Sequence, residues 1–355
     1  MRVLKILQSD ANGFETLPCE RINLDFNKFE EYEDSVHPKI IPSFENPPIE
    51  GNKRNVERLN NELPSLFNYF LDGSRRTYKI ADIVKDGMYL PLIAGQVGVA
   101  VMKRENNTLI PFKDYCRISP IIAFPNRINR DEISQLEQII SYKSGVKFSL
   151  VTYEVKEDKN LVDLAVAKIM HQMHELEISV VLELAEKKFL QPNKVLIIDG
   201  PLRFSHKFKD ITQVRNVIGL SKSFRPNFNV GKGRNKVQVG TLASGLDFGE
   251  RTTVFRTTFN EKTIGVWYMR IHSRTFLTNP LQGVVKLECY AMSDEIENNI
   301  SVDRIDTYSA HLLRERNVTP YGVDTRWASH IYPIYTAENY IKNAFMSDIH
   351  FVNLF

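Results

Sequence analysis

The chain has 355 residues, enough for one large or two ordinary domains, and its 43% hydrophobic and 25% charged content is that of an ordinary globular protein. A net charge of +3 neither demands nor excludes a nucleic-acid partner, because a local basic groove can sit inside a balanced total. Cys19, Cys116 and Cys289 fit no zinc or redox spacing, and with no signal-peptide pattern and no membrane-length apolar run the expectation is a cytoplasmic protein with no membrane partner.

Residues 1–60 read as an N-terminal extended arm or docking segment, ahead of one domain over 61–355. Residues 3–7 predict a strand, 20–37 are acidic and aromatic, and 38–51 carry several prolines before a polar run. Leu66-Phe-Asn-Tyr-Phe-Leu-Asp72-Gly73-Ser74 predicts an apolar strand that ends at Asp-Gly. Residues 90–102 and 108–112, joined by Glu105-Asn106-Asn107, predict a hairpin after it. The small residues Ala94, Gly95, Gly98 and Ala100 imply close packing over that strand. Arg75 and Arg76 could hold a phosphate or be solvated turn charges.

Residues 131–142 predict a short helix with an acidic first turn, and 147–155 a strand. The longest helical pattern runs over 160–188, with an apolar face through Val166, Met170, Met173, Val180, Val181 and Leu184. Glu177 falls in the middle of that face, Glu183 lies at its edge, and Glu175 and Glu186 project away. A carboxylate on a packing face is costly unless it is paired or bound to metal. His171 and His174 sit three apart on the same helix and read as ordinary surface or packing histidines, with metal ligation the sharper alternative.

Lys194-Val-Leu-Ile-Ile-Asp199-Gly200-Pro201-Leu202 repeats the strand-to-Asp-Gly pattern, placing Asp199 at a carboxyl end. Basic residues Arg203, His206, Lys207 and Lys209 follow, then a strand over 217–221 running into Lys222. Residues 225–236 form a basic loop with Arg225, Lys232, Arg234 and Lys236; its Gly231-Lys-Gly lacks full phosphate-loop spacing. Residues 263–271 and 283–290 predict paired strands, with Trp267 and Tyr268 in the core. A second long helix is expected over 294–316, a loop over 327–333, and a last helix over 336–346 carrying Glu338.

Asp72, Glu177 and Asp199, with Glu338 as a fourth, are thus candidate acids on different elements of an α/β fold. Gathered together they would repel, and a divalent cation removes that difficulty. Mg²⁺ and Mn²⁺ prefer oxygen ligands and suit phosphodiester hydrolysis, with Lys222 placed to meet phosphate charge. A catalytically inactive adaptor with the same fold, binding DNA or regulating a motor, is the rival reading, and an RNA-preferring nuclease is another.

The pieces Phe70-Leu-Asp72-Gly-Ser74, Leu176-Glu177, Ile197-Ile-Asp199-Gly-Pro-Leu202, Gly219-Leu-Ser-Lys222-Ser, Trp267-Tyr-Met-Arg270, the Gly283-Val-Val-Lys strand and Tyr332-Pro-Ile-Tyr-Thr-Ala-Glu338-Asn occur in this order. In order and spacing the chain resembles the NurA family of DNA-end-processing nucleases over roughly residues 66–346. The resemblance implies an RNase H-like mixed sheet flanked by helices. It implies metal-binding acids at Asp72, Glu177 (Glu183 the alternative) and Asp199, and catalytic roles for these together with Lys222 and Glu338. Glu338 stands where the family more often has aspartate or histidine. Also implied are Mn²⁺ or Mg²⁺ as cofactor, 5′–3′ exonuclease or single-strand endonuclease activity on DNA, and a homodimer docked on a HerA-type hexameric ATPase. Such pairs serve DNA repair or anti-phage defence.

Overall fold

The computed structural model describes residues 2–10, 15–25, 43–60, 63–85, 87–128, 130–156, 158–203, 210–227, 229–230, 237–277, 279–319 and 325–355. Lys207, Lys209, Lys232, Arg234 and Lys236, with Gly231 and His206, lie outside the described residues. The architecture is mixed α/β, one large sheet flanked by helices.

Helix α1 (Val3–Asp10) stands where a strand was expected. Val3, Ile6 and Leu7 are fully buried, and their spacing of three and four is helical rather than alternating. Short strands β1 (Glu15–Pro18), β2 (Glu45–Asn46) and β3 (Lys53–Asn55) follow. The hairpin β4 (Phe67–Lys85) and β5 (Met88–Glu105) comes next, then β6 (Thr108–Pro111) and β7 (Arg117–Pro125). Asn106 and Asn107 both have positive φ, as a tight turn between β5 and β6 requires. Helix α2 (Arg130–Ser144), β8 (Ser149–Tyr153) and α3 (Leu161–Glu186) complete the first half. Asn160 starts α3 by accepting the Val162 N–H at 2.9 Å.

The second half runs through β9 (Val195–Asp199), β10 (Val217–Ser221), β11 (Asn229–Val230), β12 (Val237–Gln238) and α4 (Val239–Ser244). Strands β13 (Glu250–Thr252), β14 (Phe255–Phe259), β15 (Lys262–Arg270) and β16 (Val284–Tyr290) follow. The long helix expected over 294–316 is instead α5 (Ser293–Asn298), β17 (Ile300–Ser301) and α6 (Val302–Leu312). Asn299 breaks it with φ 66°, and the buried Ile300 pairs in parallel with β2. Helix α7 (Tyr332–Ala344) begins earlier than expected, because Pro333 suits a first helical turn; α8 (Asp348–Val352) ends the chain.

The sheet order is β3-β13-β15-β16-β10-β9-β4-β5-β7-β8, with β1, β6 and β14 added on β4, β5 and β15. Strands β4, β9 and β10 are mutually parallel, while β5 and β16 flank them antiparallel. Alternation along the strands sorts the core. Phe70, Ile197, Ile218 and Leu220 pack with Ile334, Ala337 and Ile341 of α7. Leu71, Ile198 and Val217 pack with Ile178, Val181 and Leu184 of α3. Trp267 and Tyr268 are core residues, as expected. The small residues of β5 do admit a close neighbour: a Cβ on Gly98 would stand 2.7 Å from Ile341 of α7. Among the described residues no helix is long and apolar enough to cross a membrane.

The described part of residues 43–60 is docked on this framework. Strand β3 pairs with β13, and the fully buried Glu45 meets the fully buried Arg251, which also holds Asp306 at 2.7 Å. Replacing Arg251 by leucine strands Glu45 in the interior. The expected cost is about 3–5 kcal/mol of unfolding free energy. Urea unfolding checks this, and Glu45→Met in the same chain should recover most of the loss.

Candidate active site

Both Asp-Gly pairs lie at the centre of the sheet, but they differ. At Gly200, with φ 99°, the chain turns out of β9 as expected. Strand β4 does not end at Gly73. It continues to Lys85, because β5 matches it residue by residue, Asp72 opposite Ala100 and Gly73 opposite Val99. The parallel register pairs Leu71 with Ile198, so the next residues, Asp72 and Asp199, stand side by side on the α7 face.

Asp72 is only 4% exposed, and its Oδ2 is buried with no hydrogen-bond partner. Burial pushes its carboxyl far above the ordinary range; Asp199, Glu338 and Glu177 add to the rise, and Lys222 opposes it. Lys222, one residue past β10, places Nζ 2.7 Å from Asp199 Oδ2 and 4.0 Å from Glu338 Oε2. Burial works against the Lys222 charge, yet Asp199, Asp72 and Glu338 outweigh it and raise the pKa. Glu338 sits beside the buried Ala337 on α7 and also takes Lys342 at 2.5 Å. Burial opposes its charge, but Lys222, Lys342 and His330 hold its pKa down.

Glu177 arrives from the opposite, α3 face. A Cβ built on Gly73 would lie 2.1 Å from Glu177 Oε1, so this glycine is where the helix carboxylate reaches the sheet. His174 Nδ1 holds Glu177 Oε2 at 3.0 Å, and that hydrogen bond raises the His174 pKa against burial. His171 is exposed. Glu183, the alternative helix carboxylate, is taken up by Arg117 at 2.7 Å. Arg75 and Arg76 lie within a strand rather than a turn and are engaged with Asp25 and Asp348.

Sequence reasoning missed His330. It is 2% exposed, with Nε2 3.3 Å from Lys222 Nζ and 3.8 Å from Glu338 Oε2. The one available signal was its place two residues before Tyr332-Pro333.

No known protein-family model matches this sequence, and no curated protein matches it at a significant level. The chemistry of the site is therefore read from its geometry. The donors are carboxylate oxygens, which hard divalent cations take, and the buried Asp72 Oδ2 has no hydrogen-bond partner among the described residues. As placed, no three His, Cys, Asp or Glu side chains among the described residues are set to hold a metal ion together. Lys222 instead lies between Asp199 and Glu338. Carboxylate oxygen is the donor type that Mg²⁺ or Mn²⁺ takes, while Glu177 approaches from the face opposite Asp72 and Asp199.

Proposed function

We propose that the chain is a divalent-metal-dependent deoxyribonuclease with an RNase H-like core. One observation carries the reading: Asp72 and Asp199 stand side by side at the centre of the sheet, with Asp72 Oδ2 unpartnered and Lys222 bridging to Glu338. The antiparallel meander β7-β5-β4, continued by parallel β9 and β10, supports the same reading. When bound, Mg²⁺ or Mn²⁺ would supply an activated water and would neutralise charge on a phosphodiester. Asp72, Asp199 and Glu177 hold the acidic pocket, and Gly73 admits Glu177. Lys222 offers Nζ to a phosphate oxygen, and His330 and Glu338 fix where that Nζ points. The resemblance to the NurA family extends the proposal to end processing as a homodimer with a HerA-type ATPase in the cytoplasm, in DNA repair or anti-phage defence.

The test is cleavage of end-labelled linear DNA in Mn²⁺, Mg²⁺ or EDTA, alone and with a co-expressed HerA-type ATPase. Metal-dependent cutting that EDTA abolishes is expected, with the labelled end giving polarity. Cutting only beside the ATPase means that the partner completes or feeds the site. Faster cutting of a matched RNA strand would move the substrate class to RNA. No cutting under any condition leaves the adaptor reading.

A further inference from the structure

On the α3 side of the same strands lies a second polar cluster that the acids do not use. Ser221 and Lys286 oppose each other in the β10–β16 pairing. Their strand neighbours Leu220 and Leu287 pack on the α7 side, so Ser221 and Lys286 turn the other way. Ser221 is 6% exposed, and its Oγ is buried without a partner among the described residues. Lys286 is equally buried, with Nζ 2.9 Å from Glu288 Oε1. Glu288 also accepts the Leu202 N–H at 2.8 Å, which ties the turn after β9 to the sheet. Arg203 then reaches 3.6 Å from Glu288 Oε2, too long for a hydrogen bond. The place where a Cβ on Gly200 would stand is open.

A buried hydroxyl left without a hydrogen bond is costly. Here one such group, Ser221 Oγ, accompanies two cations that share one carboxylate. This set donates and is positive, so it suits an anion and not a metal ion. A phosphate diester, with two charged oxygens and a flexible chain on either side, matches those donors. We propose that Ser221, Lys286 and Arg203 form a subsite for a backbone phosphate of the DNA strand, across the sheet backbone from Asp72 and Asp199. This rests on the reading of the chain as a DNA-cutting enzyme.

Removing Lys286 would strand Glu288 and endanger folding, so the test uses Ser221→Ala and Arg203→Gln. Both are made in the full-length Asp72→Asn protein, in EDTA, so that no cutting intrudes. The probe is a fluorescein-labelled single-stranded oligonucleotide of mixed sequence, read by anisotropy over a salt series, with urea unfolding as the folding control. Each variant is expected to bind roughly fivefold more weakly, the worth of one hydrogen bond. Arg203→Gln should also flatten the plot of log affinity against log salt by about 0.7, the loss of one phosphate contact. Ser221→Ala, which removes no charge, should leave that slope unchanged. A parent that binds DNA with a steep salt slope, and variants that match it in affinity and slope, would overturn the subsite alone. A parent that binds no oligonucleotide at any salt overturns the DNA reading and the subsite with it.

Discussion

Asp72→Asn is expected to lower the cleavage rate by on the order of 10⁴-fold, the scale of losing a central catalytic group, while leaving the fold as stable as before or more so. The change keeps the shape of the side chain and removes a charge from a buried place where Asp199, Glu338 and Glu177 all oppose it. The sign of the pH dependence follows. The folded state raises the Asp72 pKa, so it binds that proton more tightly than the unfolded chain does. The stability from this carboxyl is fully present below its unfolded value of about 3.9 and is lost as pH rises through the folded value. Without added metal, wild type should lose stability across that window, and Asp72→Asn should lose less. Asp199→Asn should be as inactive but not stabilised, because Asp199 holds Lys222 at 2.7 Å. Initial rates together with urea unfolding at several pH values check these points. A folded Asp72→Asn protein that cuts at the wild-type rate would sink the assignment. A variant that cannot fold would make the carboxylate a structural group.

Gly73→Ala is the second large effect, and it separates folding from chemistry. The new methyl would stand 2.1 Å from Glu177 Oε1. That oxygen is the far end of a flexible side chain, so the carboxylate yields and the backbone stays. Gly73 has no positive φ, and alanine suits an extended strand. Stability should change by no more than about 1 kcal/mol. Cleavage should fall on the order of 10²-fold, the scale of displacing a catalytic group by about an ångström. The measurement is kcat against metal concentration, with Glu177→Gln beside it. Equal losses in the two variants are expected. Full activity in Gly73→Ala would remove Glu177 from the chemistry.

Much of this site could be read in advance, because its residues sit where local rules are strong. Apolar runs ending at Asp199-Gly200 and at Lys222 are short, buried strands bounded by turn chemistry, and both folded so. The helix over Leu161–Glu186 followed from its period, and in the structure Asn160 caps it. Local rules failed where distant partners decided. Residues 3–7 fit a strand period as well as a helical one, and tertiary packing makes Val3–Asp10 a helix. Residues 294–316 lost their continuous helix to Ile300, which pairs with a strand some 250 positions earlier, Glu45–Asn46.

Periodicity and turn chemistry carried the mixed α/β class and the strand–helix–strand order around the acids, and they singled out Asp72, Asp199, Glu177, Lys222 and Glu338. Which of these meet depends on the assembled fold. It set Glu183 against Arg117 on β7 and brought Glu177 to Gly73. It also brought His330 to Lys222, across 108 positions, and set Ser221 beside Lys286 on the far face. Periodicity records which side of an element is buried, whereas a pairing between charges depends on strand register and helix placement, which the whole chain fixes together.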